Sequence, residues 1–237
     1  MGDVGVVIPA AGQGKRMEMG QNKQFITLAG FPILVHTIKV FQSSKYISEI
    51  VIVGANDDLP IIEELVREYD FNKVTAVTQG GAQRQASVFA GVKTLSSAIQ
   101  RVVVHDGARP LLLLAELDRF LLDSINDMAA VMAIPVKDTI KRVDERGLVV
   151  DTLARASLRA VQTPQVFQRV LLEEAHRYAV VQGFFGTDDA SLVEYLGHPV
   201  RVVDGSWENL KITTPEDLWV AERIFQRRIT PQDQTEL

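Results

Sequence analysis

Six short runs rich in β-branched residues recur along the chain: Val4 to Ile8, Ile50 to Val53, Val74 to Val77, Val102 to Val104, Ala130 to Val136 and Val200 to Val203. Most are apolar at consecutive positions. A strand with one wet face alternates polar and apolar residues, so an unbroken run implies burial on both faces, as in a parallel sheet sandwiched by helices. The intervening segments carry apolar residues at helical spacing: Ile33, Leu34, Thr37, Ile38, Val40, Phe41; Leu59, Ile62, Leu65, Val66, Tyr69; Val88, Phe89, Val92, Leu95; and Leu117, Phe120, Leu121, Ile125. Strands alternating with helices predict an α/β fold with a mostly parallel sheet.

Two helix starts are written in capping residues. In TTPEDL, Thr214 caps, Pro215 suits the first helical position and Asp217 closes a capping box, with the helix expected to run to about Phe225. In TDDASLVEYLG, Thr187 or Asp188 is the N-cap and Gly197 the stop. DTIKRVDERGLVVDTL, residues 138–153, breaks the alternation and reads as two short strands around Asp144 to Gly147, a hairpin arm inserted into a crossover-linked sheet. With no linker or repeat, residues 1–227 are expected to form one domain, 138–153 a protruding arm and 228–237 a frayed tail.

Composition narrows the function. A net charge of −5 argues against a general nucleic-acid or anionic-membrane surface, so any anion site must be local. The absence of cysteine excludes disulfides, thiolate metal ligands and a cysteine nucleophile, and is compatible with a reducing cytoplasm. No window approaches the ~20 apolar residues that span a bilayer, and MGDVGVVIP lacks a basic segment ahead of a long apolar one.

The chemistry-bearing residues follow the apolar runs. After the first comes PAAGQGKRM: Pro9, Ala10, Ala11, Gly12 and Gly14 form a bare turn and Lys15 and Arg16 add charge. In open parallel sheets ligands bind beyond the carboxyl ends of strands, where such a turn lets backbone amides approach a phosphate. Neither GxxxxGK[ST] nor GxGxxG is present, so taken alone the loop fits a phosphate cradle or a glycine turn with two solvated cations. In HDGARP, Asp106 offers a divalent cation a hard oxygen, Gly107 and Ala108 allow a close turn, and Arg109 offers a fork for phosphate; a plain Asp–Arg surface pair is the competing reading. His105 is expected to point away from the site as a packed histidine. QGGAQRQAS places Gly81, Arg84 and Ser87 at a helix start. AVQTPQ places Thr163 before a proline, which also reads as a plain turn, and Lys211 precedes the TTPEDL helix.

Together IPAAGQGKRM, NKQF, GGAQRQAS, VHDGARP, PVKDTIKRV, VQTPQ, GTDDAS and NLKITTPEDL, spanning residue 4 to about 225, resemble the 2-C-methyl-D-erythritol 4-phosphate cytidylyltransferases. The resemblance implies a Rossmann-like sheet of the nucleotidyltransferase type and transfer of CMP from CTP to 2-C-methyl-D-erythritol 4-phosphate, with magnesium and release of pyrophosphate. It implies that Arg16 and Lys23 stabilise the transition state and that Arg155 and Lys211 hold the methylerythritol phosphate. The turn from Pro9 to Gly14, with Lys15 in an electrostatic supporting role, would hold CTP together with Gly81, Arg84, Ser87 and the 106–108 turn. Asp106 would bind magnesium, and Arg109, Thr139, Thr163 and Thr187 would line the acceptor side. It further implies a cytoplasmic homodimer interlocked through residues 138–153, with Thr139 and Arg155 serving the partner's site.

The chain departs from the family pattern twice. GGAQR stands where many members read GGDER, so Ala82 supplies no carboxylate near the nucleotide, and Glu208 stands where some members carry an aspartate as a second metal ligand. Two alternatives remain from the sequence: a cytidylyltransferase for another polyol phosphate such as ribitol 5-phosphate, and a catalytically silent nucleotide-binding module.

Overall fold

The structure, a computed structural model, describes residues 3–12 and 22–229. Seven strands make the central sheet: β1 Val4–Pro9, β2 Ile47–Gly54, β3 Val74–Gln79, β4 Arg101–Val104, β5 Ala129–Pro135, β6 Arg159–Gln168 and β7 Arg201–Asp204. Their order is β7-β5-β6-β4-β1-β2-β3, with β6 antiparallel to both its neighbours and the other pairs parallel. Among the described residues the α-helices are α1 Ile33–Ser43, α2 Leu59–Glu68, α3 Arg84–Thr94, α4 Leu114–Asp123, α5 Arg169–Gln182, α6 Asp189–Tyr195 and α7 Pro215–Ile229. None is long and apolar enough to cross a membrane.

The consecutive apolar runs are explained by two cores, one on each face of the sheet. Val6, Ile8, Ile50, Ile52 and Val103 pack with residues of α1, α2 and α4, while Val7, Val51, Val53, Val102 and Val104 pack with α3, α5 and α6. Successive side chains of a strand point to opposite faces, so both faces must be apolar when both are covered.

The expected caps form: Asp217 Oδ2 accepts from the Thr214 amide at 2.9 Å, and Asp188 Oδ1 accepts from the Ser191 amide at 2.9 Å. The expected hairpin is also present, Lys141–Val143 against Val149–Thr152, closed by the Gly147 amide donating to the Asp144 carbonyl at 3.0 Å.

Three features differ from the sequence expectations. AVQTPQ is not a plain turn but part of β6, ten residues long, whose register against β5 shifts between Val161 and Gln165 to accommodate Pro164. Helix α5 carried no expectation: Leu171, Leu172, Ala175 and Ala179 are buried while Val170, Val180 and Val181 are exposed, so its apolar residues surround the helix and blur the period. Helix α7 runs to Ile229, past Phe225, and takes in residues 228 and 229 of the expected tail; the remainder of that tail, 230–237, lies outside the described residues.

Candidate active site

From β1 the chain moves outward on one side through β2 to β3 and then crosses back to β4 on the other side of β1, so the crevice between β1 and β4 is the topological switch point where open α/β sheets bind ligands. Backbone bonds hold the two loops together: the His105 amide donates to the Val7 carbonyl at 3.0 Å and the Gly107 amide to the Pro9 carbonyl at 3.2 Å. Above them opens a cavity of about 660 Å³, lined by Pro9, Ala11 and Gly12, Lys23, the 79–84 loop, Ser87, the 106–108 turn and Lys211. Ala10, alternating with its neighbours, instead points into the core and is 1% exposed.

The 80–87 loop is shaped by contacts that only glycine permits. A Cβ on Gly80 would lie 2.6 Å from Ser87 Oγ, and one on Gly81 2.5 Å from the Ala86 Cβ. Ser87 Oγ accepts from the Gly81 amide at 3.1 Å and donates to the Gln83 carbonyl at 3.1 Å, folding the loop over the start of α3.

Asp106 is the electrostatic centre. Its Oδ1 pairs with Arg84 Nε at 3.2 Å, and its Oδ2 meets Lys211 Nζ at 2.8 Å and Arg109 Nε at 3.7 Å. Burial alone would raise its pKa, but Arg84, Lys211 and Arg109 outweigh burial and hold the carboxyl well below the usual carboxylate range. The Asp–Arg pair of the competing reading therefore exists, but as part of a buried cluster rather than on a surface loop. Lys211 is delivered by a stitched segment: the Ile212 amide donates to the Ala108 carbonyl at 2.9 Å, and Asn209 Nδ2 to the Thr163 carbonyl at 2.8 Å.

Behind Asp106 runs a chain of hydrogen bonds. The Asp106 amide donates to Thr163 Oγ1 at 3.1 Å, the hydroxyl lies 3.2 Å from His105 Nδ1, and His105 Nε2 lies 3.2 Å from the Arg109 carbonyl. A carbonyl only accepts, so Nε2 carries the proton and Nδ1 accepts from the hydroxyl. Burial pushes the His105 pKa down to about 4, which keeps the ring neutral and suits this tautomer. His105, fully buried against Phe41, is the packed histidine expected.

The cavity brings together Pro9, Ala11, Gly12, Lys23, Gly81, Arg84, Ser87, Asp106, Gly107, Ala108 and Lys211. Lys23 Nζ donates to the Ile212 carbonyl at 3.1 Å, beside Lys211. Arg109 sits beneath the cavity, ion-paired with Asp106 at 3.7 Å and donating from Nη1 to the Asn209 carbonyl at 2.8 Å. Thr163 is 4% exposed, with its hydroxyl turned to the Asp106 loop. Thr139, Arg155 and Thr187 are exposed and outside the cavity lining, and Arg155 Nη1 donates to the Lys137 carbonyl at 2.7 Å. Gly14, Lys15 and Arg16 lie outside the described residues.

The structure does not bring Glu208 to Asp106. Arg227 holds its Oε1, and Arg228 holds its Oε2 at 2.8 Å while also donating to the Leu111 carbonyl at 3.1 Å, so Glu208 fastens α7 to the body of the protein. Asp189 carried no sequence expectation, yet its Oδ2 takes Arg84 Nη1 at 2.7 Å from a position 1% exposed, with His176 Nε2 3.5 Å from its other oxygen. An acid at a helix start reads as a dipole partner; nothing in the sequence pairs it with an arginine 105 residues away.

Comparison with known proteins agrees with this geometry. A family model described as 2-C-methyl-D-erythritol 4-phosphate cytidylyltransferase matches residues 4–227. Proteins of that name from Halalkalibacterium halodurans and Bacillus mycoides are each 48% identical, across 94% and 93% of this chain and 97% and 96% of their own. The 4-diphosphocytidyl-2C-methyl-D-erythritol synthase of Anaerococcus prevotii superposes with a TM-score of 0.84 at 31% identity, over 94% of this chain and 96% of that one. The Thermus thermophilus cytidylyltransferase gives 0.77 at 35%, over 94% and 99%. With a family model matching residues 4–227 and its likeness to curated relatives running nearly end to end, this chain belongs to the 2-C-methyl-D-erythritol 4-phosphate cytidylyltransferase family.

Proposed function

We propose that this chain transfers CMP from CTP to the phosphate of 2-C-methyl-D-erythritol 4-phosphate, releasing pyrophosphate. The observation that carries the reading is Asp106, ringed by Arg84, Arg109 and Lys211, at the floor of a glycine-walled cavity on the switch point. Three cations face Asp106 and the buried Asp189, so the site favours anions in a chain whose overall charge is negative. Its volume, about 660 Å³, lies within the ~300–1,000 Å³ usual for small-molecule sites.

In this reading the backbone of Pro9 to Gly12 and the Gly81–Ser87 loop hold the nucleotide. A phosphate oxygen of the acceptor attacks the α-phosphorus in line. The new P–O bond forms as the bond to the β-phosphate oxygen breaks, and pyrophosphate leaves with that electron pair. No covalent enzyme intermediate is required, so catalysis consists of positioning and charge stabilisation. Lys23, which borders the cavity, would with Arg16 stabilise the negative charge that develops in the transition state, and Lys211, on the same cavity, would hold the acceptor phosphate.

Among the described residues no cluster of three or more acidic or histidine side chains is placed to hold a metal. A lone carboxylate does fit a magnesium ion that arrives with CTP, since that ion completes its octahedron with phosphates and water. Asp106 would hold it, and the bound ion would supply further neutralisation of the triphosphate. Glu208, engaged by two arginines, has no part in this set.

The protein is read as a cytoplasmic homodimer. The arm exposes Val143, Leu148, Val149 and Val150, each at least 54% accessible, and an isolated two-stranded hairpin has little stability of its own. Thr139 and Arg155, outside their own chain's cavity, would reach the acceptor phosphate in the partner.

The test is pyrophosphate release from CTP and magnesium with 2-C-methyl-D-erythritol 4-phosphate or ribitol 5-phosphate. Release with the first and little with the second is expected. Preference for ribitol 5-phosphate would overturn the acceptor, and CTP binding without release would point to a silent module.

A further inference from the structure

The three cations on Asp106 are not equally fixed. Arg84 is tethered at its far end by the buried Asp189, which itself lies against His176, a ring stacked flat on Phe89 at 5.0 Å. Arg109 is tethered by the Asn209 carbonyl at 2.8 Å, and its side chain is only 11% exposed. Lys211 differs. Among the described residues its one ion pair is with Asp106 Oδ2, its side chain is 36% exposed, and it borders the same cavity. An ammonium on a four-carbon stem also reorients more readily than a tethered guanidinium fork.

An ammonium 2.8 Å from Oδ2 occupies the approach that a divalent cation would need, because magnesium binds oxygen at about 2.0–2.1 Å and two cations so placed repel each other. Arg84 and Arg109 can remain, since one grips Oδ1 and the other lies farther off, at 3.7 Å. We propose that Lys211 is an exchangeable counter-ion: it neutralises Asp106 before nucleotide binds, and a divalent cation entering with the CTP phosphates displaces it from Oδ2. The freed ammonium then turns to the phosphates beside it. The proposal rests on the nucleotidyltransferase reading above and adds an antagonism that a simple phosphate-binding lysine would not show.

Removing the Lys211 charge should therefore strengthen divalent-cation binding even as it weakens catalysis. Mn²⁺ binding to nucleotide-free protein, followed by the loss of the free-ion electron paramagnetic resonance signal into the millimolar range, reads this without turnover. Lys211→Met should bind Mn²⁺ at least threefold more tightly than the parent, Lys211→Arg within about twofold of it, and Asp106→Asn should lose the site. Equal or weaker binding by Lys211→Met, with the parent binding normally, overturns the exchange and leaves the functional reading intact. If neither parent nor Lys211→Met binds Mn²⁺, alone or with a non-hydrolysable CTP analogue, the exchange and the metal assignment at Asp106 fall together.

Discussion

Thr163→Val removes one hydroxyl and almost no volume, and it isolates the link between the sheet and the Asp106 loop. The hydroxyl accepts from the Asp106 amide at 3.1 Å and lies 3.2 Å from His105 Nδ1, with all three residues buried. Valine leaves both the amide and the ring nitrogen without a partner. Stranding a buried polar group costs ~1–3 kcal/mol, so two of them, less the gain from burying an extra methyl, should cost ~2–4 kcal/mol. For a chain of this size ~1 kcal/mol shifts the melting temperature by roughly 2–4 °C, which predicts a fall of about 4–16 °C. Calorimetric melting of parent, Thr163→Val and Thr163→Ser gives the answer. The serine variant keeps the hydroxyl and should lose only ~1 kcal/mol for its methyl. A valine variant that melts at or above the serine variant would refute the claim that this hydroxyl holds the loop.

Three further outcomes follow from the same geometry. Glu208→Gln should lower the melting temperature by a few degrees through loss of the Arg227 and Arg228 pairs while the magnesium dependence of turnover stays that of the parent; a rise in the magnesium requirement would return Glu208 to the metal site. Deleting residues 138–153 should convert the protein to monomers in sedimentation, and a parent that is already monomeric at micromolar concentration would exclude the interlocked dimer. Acid should destabilise the fold in a defined window. His105 titrates near 4 when folded and ~6.5 when unfolded, so its contribution is full above pH ~6.5 and falls by up to ~1.4 kcal/mol per pH unit down to ~4. Asp106, held low when folded, adds a second loss below about pH 4 with the same sign. A urea midpoint unchanged between pH 7 and 4.5 would contradict the His105 contribution.

What the sequence disclosed follows from what local pattern can encode. Strands β1, β2 and β4 were legible because burial on both faces leaves the runs Val4 to Ile8, Ile50 to Val53 and Val102 to Val104 without a polar residue to interrupt them. β6 was hidden because Gln162, Gln165 and Pro164 imitate a loop; both glutamines are buried, Gln162 Nε2 donating to the Ser206 carbonyl and Gln165 pairing with Asp188 and the Ala190 amide, partners visible only in three dimensions. The site loops were legible because each follows an apolar run that fixes where it emerges. The partners of Glu208 were hidden for a related reason: helix α7 extends past Phe225 and brings Arg227 and Arg228 back onto its carboxylate, while Lys211, three residues on, borders the cavity. Asp189 was invisible because its charged partner, Arg84 at the start of α3, and its neighbour His176 in α5 come from other helices.

Magnesium titration of pyrophosphate release tests most directly whether Asp106 anchors the metal–nucleotide. With CTP and 2-C-methyl-D-erythritol 4-phosphate saturating, the parent should rise to a plateau. Asp106→Asn retains the shape but removes the charge that Arg84, Arg109 and Lys211 surround. Its turnover should fall by ~10² or more, as expected when a preorganised electrostatic contact is removed, and added magnesium should restore only part of it. An Asp106→Asn enzyme whose magnesium curve overlays that of the parent would contradict the assignment.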